Sequence, residues 1–209
     1  MRIIDGVKTL TGKPARIPDA NRSDLPQFFK DMGYHVGAEI GVDKGEYSQE
    51  LLDAGLELYS IDPWLYYSDY PHPKGQERLD FLHEHTKRTL AQYGDKSHIL
   101  RKTSMEAVGE FEDGSLDFVY IDGHHGFKYI AEDMWEWSKK VRKGGVISGH
   151  DYAKTRHVEI RDPFVLHVAP AVDAFTKCLN IKHWWLIGSD ESVPGEKRDT
   201  FRSWLWINQ

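Results

Sequence analysis

The stretch Gly37-Ala38-Glu39-Ile40-Gly41-Val42-Asp43-Lys44-Gly45-Glu46-Tyr47-Ser48 constrains this chain more than any other. An apolar run there ends in a glycine turn and passes directly into a helical pattern. Gly41 and Gly45 lack a Cβ, so the backbone turns sharply and lies against a ligand. The helix that starts near Tyr47-Ser48 aims its first N–H groups into the same space. A dinucleotide fingerprint would read G-x-G-x-x-G, seating a pyrophosphate on the helix terminus. Here the spacing is Glu-x-Gly-x-x-x-Gly, with Glu39 ahead of the first glycine and Asp43 inside the turn. Acids at those points repel phosphate and suit a ligand with an ammonium and a sulfonium charge, which describes S-adenosylmethionine better than NAD. A glycine-rich turn alone also occurs in α/β proteins that bind nothing.

Three further apolar runs end in ionisable groups. Leu58-Tyr59-Ser60-Ile61-Asp62 ends in a carboxylate some twenty residues beyond the glycine turn, where a second parallel strand places an acid over a ribose. Leu116-Asp117-Phe118-Val119-Tyr120-Ile121 runs into Asp122-Gly123-His124-His125, and Gly144-Gly145-Val146-Ile147-Ser148-Gly149 into His150-Asp151-Tyr152. Ligands of open parallel sheets collect at the carboxyl ends of strands, so four such endings exceed what packing alone requires.

In this order the motifs E-x-G-x-x-x-G, I-D-P-W, Y-I-D-G-x-H and G-G-x-x-x-x-H-D-Y resemble the class I S-adenosylmethionine-dependent methyltransferases. Within that class they are most similar to the metal-dependent O-methyltransferases that act on macrolide sugars and other small hydroxylated molecules. The resemblance runs from about Gly37 to Tyr152. It implies an α/β fold: a Rossmann-like, seven-stranded, mostly parallel sheet with a C-terminal antiparallel hairpin and helices on both faces. Residues 1–22 then read as an N-terminal extension packed on a single domain, 23–209.

The resemblance also implies a site. Glu39, Gly41, Asp43, Gly45, Ser48, Asp62, Trp64, Ser104, Met105 and Asp122 would hold S-adenosylmethionine, with Ser104 and Met105 flanking the adenine; the plainer reading of that pair is an N-cap serine and a core methionine. Asp122, His150 and Asp151 would ligate a divalent cation, magnesium in the family, which orients two substrate oxygens and polarises the one to be methylated. Asp122 and His125 would be catalytic, His125 as general base with a neutral imidazole. One departure is His150, which stands where the family usually has a second carboxylate. Imidazole is a softer ligand, so the ion shifts towards manganese, iron or zinc, or His150 is no ligand, or His150 is itself the base and His125 orients substrate. His124 reads as a bystander.

Composition bounds the alternatives. With 209 residues, 40% hydrophobic and 12% aromatic, the chain buries a full core and is not disordered. The formal net charge of −6 gives no attraction to nucleic acid or anionic membrane, so the expected partner is a small-molecule acceptor, with a homo-oligomer also open. No stretch reaches the length of a membrane span and the start lacks an apolar leader, so a cytoplasmic location is expected. Cys178, the single cysteine, cannot form an intrachain disulfide and falls in a helical apolar pattern that suggests a core thiol.

Helices are predicted from Ser23 to Gly33, over Tyr47–Ala54, from Leu79 to Tyr93, from Thr103, along the stripe Phe127, Ile130, Met134, Trp137, Val141 stopped by Gly144-Gly145, and from Pro170 to about Leu179. Trp135 and Trp137 are assigned to packing. The aromatic loop 63–75 reads as a lid, or as a patch closed by a partner subunit. Segments 63–78 and 153–168 are expected to set acceptor choice. The competing readings are transfer to nitrogen, carbon or a macromolecule, a non-catalytic S-adenosylmethionine-binding module, and, more distantly, a nicotinamide reductase that Glu39 and Asp43 disfavour.

Overall fold

The structure, a computed structural model, describes residues 1–67, 75–153, 166–189 and 201–209. Residues 68–74 of the proposed lid 63–75, most of the 153–168 segment and residues 190–200 lie outside the described residues. The strands are β1 (Ala15–Ile17), β2 (Val36–Ile40), β3 (Glu57–Ile61), β4 (Ser97–Leu100), β5 (Leu116–Ile121), β6 (Val141–Tyr152), β7 (Trp184–Ile187) and β8 (Arg202–Ile207). They form one sheet in the order β1-β7-β8-β6-β5-β2-β3-β4. From β4 to β6 every neighbouring pair is parallel, and β8 runs antiparallel to both β6 and β7.

The order reverses direction about β2 and β5, which opens a crevice at their carboxyl ends, where ligands of such sheets sit. All six residues of β5 are buried, as expected for a central parallel strand covered on both faces. Its alternation assigns the two cores. Phe118 and Tyr120 join Leu25, Phe28 and Leu51, from α2 (Leu25–Asp31) and α3 (Glu46–Asp53), together with Ile3 of α1 (Ile3–Thr9). Val119 and Ile121 join Ala107, Met134, Trp137 and Val172 on the other face. That face carries α5 (Ser104–Ala107), α6 (Phe127–Lys140) and α7 (Val168–Cys178), while α4 (Gln76–Leu90) follows the aromatic loop.

The structure departs from the sequence reading in four places. The sheet has eight strands because the extension is not merely packed on: Ala15–Ile17 pairs in parallel with Trp185–Ile187 and becomes an edge strand. Helix α6 stops at Lys140, before the glycines, because Val141 turns extended and pairs with Leu116. Asn208 Nδ2 stabilises this early end by donating to the carbonyls of Ser138 (3.0 Å) and Val141 (2.6 Å). Cys178 is exposed, since the buried stripe of α7 runs through Val168, Val172 and Thr176 and leaves the thiol off it. Trp137 is core but Trp135 is half exposed, its ring under Lys139. Among the described residues, no helix is long and apolar enough to cross a membrane.

Candidate active site

The turn after β2 is held by its neighbours rather than by its own sequence. Gly41 has φ of +90°, and a Cβ on it would lie 2.2 Å from the Asp122 carbonyl oxygen, so only glycine lets β2 and β5 come this close. Gly45, at φ +81°, enters α3. Asp62, just past β3, accepts from the N–H groups of Val42 (2.9 Å) and Asp43 (3.1 Å) through Oδ2 and from that of Trp64 (2.7 Å) through Oδ1. The buried Trp64 indole donates in return to the Asp43 carbonyl at 2.7 Å. Asp62 and Trp64 thus clamp the loop, while the remaining carboxylate lone pairs stay available to hydroxyl donors.

This turn forms one wall of a cavity of about 670 Å³ at the crevice. Of the residues predicted from sequence, Glu39, Gly41, Asp43, Asp62, Trp64, Ser104, Met105, Asp122 and His125 line it, as does His124. Ser48 instead lies behind Glu39, donating to its carboxyl and accepting from Ser60 Oγ at 3.0 Å. Burial pushes the Glu39 carboxyl up to about 8; the Ser48 hydroxyl opposes this and the charges of Asp122 and Asp62 reinforce it. Burial raises Asp62 too, against the three amides that stabilise its charge.

The catalytic candidates meet at the ends of β5 and β6. His125 Nε2 lies 2.7 Å from Asp151 Oδ2 and 3.9 Å from Asp122 Oδ1. One ligand atom from each of Asp122, His125 and Asp151 can be chosen so that all lie within 4.8 Å of one another. His150, predicted as the third ligand, is not in that group, although its Nδ1 lies as near to Asp122 Oδ1 as His125 does, at 3.9 Å, and 3.2 Å from Asp151 Oδ1. Asp151 sits at φ +58°, which turns its carboxylate between the two imidazoles.

The sequence reading gave His125 a neutral imidazole; its two carboxylate neighbours favour the protonated ring. Burial alone would lower its pKa, but hydrogen bonds and charge from Asp122 and Asp151 outweigh it and hold the ring up to about 9. The same contacts, from His125 first and then His150, keep Asp151 below the ordinary carboxylate range despite its burial.

Of the lining residues absent from the sequence reading, two bear on the chemistry. Arg22, from the segment ahead of α2, places Nη1 3.5 Å from Asp122 Oδ2 and its guanidinium 5.5 Å from the centre of the Tyr47 ring. Nothing in a region without periodicity announces it. Asp133 is nearly buried on α6, where burial raises its carboxyl to about 7. Its signal was present: an acid between Ile130, Met134 and Trp137 interrupts an apolar stripe.

Comparison with known proteins agrees with this architecture. The chain superposes with a TM-score of 0.60 on the O-methyltransferase TomG from Streptomyces achromogenes, solved in complex with SAM, at 16% identity over 90% of this chain and 79% of that one. The O-methyltransferase from Bacillus cereus, solved with SAH, gives a TM-score of 0.60 at 14% identity over 88% and 79%. A 1,6-didemethyltoxoflavin-N1-methyltransferase from Burkholderia thailandensis gives 0.51 at 12% identity over 89% and 76%. At these identities the likeness establishes the fold. An uncharacterized Sinorhizobium fredii protein, y4gI, is 30% identical over 109 residues, half of this chain, which spans 11% of that relative's length. The family model described as a methyltransferase domain matches residues 38–152, more than half of the chain and every motif from Glu39 to Tyr152, so the chain belongs to the methyltransferase-domain family.

Proposed function

We propose that this chain transfers the methyl group of S-adenosylmethionine to a hydroxyl oxygen of a small molecule, such as a sugar or natural product, with help from a divalent cation. The observation that carries this reading is the meeting of Asp122, His125 and Asp151 beside a cavity whose other walls bear Glu39, Asp43 and Asp62. The cavity volume of about 670 Å³ falls among small-molecule pockets, which run roughly 300–1,000 Å³.

The acids meet the charges of the donor. Glu39, neutral while buried alone, would ionise against the donor's ammonium, and Asp62 offers its spare lone pairs to ribose hydroxyls. Ser104 and Met105, which line the cavity, would flank the adenine. Two carboxylates and an imidazole within 4.8 Å form a donor set that fits magnesium and, because of the nitrogen, manganese, iron or zinc. When bound there, such a cation lowers the pKa of the acceptor hydroxyl. His125 either completes the ligand set through Nε2 or, left off the ion, deprotonates that hydroxyl from Nε2; the base role requires the charge of Asp151, whose Oδ2 lies 2.7 Å from Nε2, and of Asp122 to be neutralised first. His150 Nδ1 positions the second oxygen of Asp151.

A second reading, without metal, is favoured by Arg22: with a protonated His125 it supplies two cations for the two carboxylates. Labelled methyl transfer to a panel of sugar diols and catechols, with chelator and with metal added back, separates them. Loss on chelation and recovery with magnesium or manganese supports the first reading. A rate indifferent to chelator removes the cation and leaves the Arg22–His125 pair. Transfer to amines alone sinks oxygen as the acceptor.

A further inference from the structure

Asp133 has an arrangement that the transfer chemistry does not use. Its side chain is 4% exposed, yet it lines the cavity. Ser104 Oγ donates to its Oδ1, and the Trp137 indole N–H donates to Ser104 Oγ at 2.8 Å. Because the indole occupies a lone pair of that hydroxyl, the single hydroxyl hydrogen is committed to Oδ1. Among the described residues, Oδ2 has no hydrogen-bond partner. It faces the wall at Gly123, where even a Cβ would lie 3.8 Å away.

Among the described residues no cation offsets this carboxyl; its charged neighbour Glu132 raises its pKa further. A buried acid with one oxygen pinned and the other open to a ligand cavity costs stability unless a donor meets it. The cofactor proposed for the cavity carries such a donor. Adenine has an exocyclic amine, whereas its 6-oxo counterpart hypoxanthine has an acceptor oxygen at the same place.

Resting on the cofactor reading above, we propose that Asp133 is the residue that selects the base: its Oδ2 accepts from the adenine amine, with Ser104 and Trp137 fixing which edge of the side chain is presented. The network also predicts what an amide would do. In Asp133→Asn the Ser104 hydroxyl holds Oδ1, so Nδ2 takes the place of Oδ2 and turns an acceptor into a donor that suits the 6-oxo base.

The test is calorimetric titration of S-adenosylhomocysteine and S-inosylhomocysteine into the full chain. The wild type should prefer the adenine compound by about tenfold to a hundredfold, the range expected when a buried polar group is left facing its own kind. Asp133→Asn should bring the ratio to about one or reverse it. In Asp133→Asn with Ser104→Ala the released amide turns either edge, so a reversed ratio should drift back; if the single variant does not fold, Asp133→Ala, which removes the acceptor without supplying a donor, should bring the ratio towards one. A wild-type ratio near one, or a ratio unmoved in a folded Asp133→Asn, overturns base selection while leaving the cofactor in place. A wild type that binds neither compound removes the cofactor reading and base selection together.

Discussion

The floor and the rim of the cavity both bury carboxyl groups, and they treat them in opposite ways. On the floor, Glu39 and Asp133 each receive one serine hydroxyl, and desolvation pushes them up to about 8 and about 7. At the rim, Asp151 is buried almost as well but sits between two imidazoles, and its carboxyl falls below the ordinary range. The difference teaches what each region waits for. An uncompensated acid is poised to meet a donor or a positive charge brought by a ligand, whereas an acid paired with histidine is equipped to hold a cation or to direct a proton.

The sharpest way to break this comparison is at the rim. Asp151→Asn removes the partner of both imidazoles and one member of the Asp122–His125–Asp151 group. Methyl transfer should fall by about 10³-fold, within the range for lost acid–base or cation-holding groups. S-adenosylhomocysteine affinity should change only a few-fold, because Asp151 is not among the residues that line the cavity. Single-turnover rates beside calorimetric affinities make the check. If affinity collapses while the rate survives, rim and floor are one region and the distinction fails.

The two regions differed as much in how they could be read from sequence. The floor was legible where its signals are local: the glycine turn carrying Glu39 is contiguous and Asp62 directly ends an apolar run, so period and turn chemistry suffice, whereas Asp133, inside the stripe of α6, was passed over. The rim was legible as strand ends but not as partners. His125 and His150 share the carboxylate of Asp151, which sits at a positive φ that no residue pattern announces for an aspartate. Arg22 reaches Asp122 across 100 residues of chain through an extension without periodicity, and β1 was missed for the same reason: three residues are too few to show alternation. Helix α6 was placed correctly but drawn too long, since the apolar Val141 fits the helical stripe as well as the strand it joins.

The second test uses pH and asks whether the floor carboxyls are as unpaired as they look. For Glu39 the folded pKa lies above the ordinary value, 4.5 rising to about 8, so the native state binds more protons than the unfolded chain between those limits. Its favourable contribution is complete below about pH 4.5 and is lost as pH rises through about 8. Glu39→Gln should therefore be more stable than wild type near pH 8, by on the order of a few kcal/mol, with the advantage shrinking towards pH 4. Asp133→Asn should behave in the same direction over its own lower window, from 3.8 to about 7. Asp151 has the reverse sign, its contribution lost as pH falls through its depressed pKa, so Asp151→Asn should be the less stable protein at neutral pH and lose that deficit in acid. Denaturant melts of ligand-free protein across pH 4–8 read the two floor windows, while the Asp151→Asn deficit should stay flat over that range because its loss sets in only below the ordinary aspartate value of 3.8; parallel slopes for floor and rim variants would end the contrast.

The smallest effect concerns how firmly the floor is clamped. Trp64 contributes a buried ring and one hydrogen bond, from Nε1 to the Asp43 carbonyl at 2.7 Å, while Asp62 takes three backbone amides of the same loop. Trp64→Phe keeps an aromatic ring and removes that bond, while Thr86 Oγ still lies 3.4 Å from the Asp43 carbonyl. The expected cost is about 1 kcal/mol of stability, the usual net worth of one such bond. S-adenosylhomocysteine affinity should fall only a few-fold, since Asp62 still fixes Val42 and Asp43. A loss as large as that of Asp62→Ala would mean that the indole, and not the carboxylate, sets the shape of the turn, and that the floor is organised by packing rather than by the backbone amides gathered on one acid.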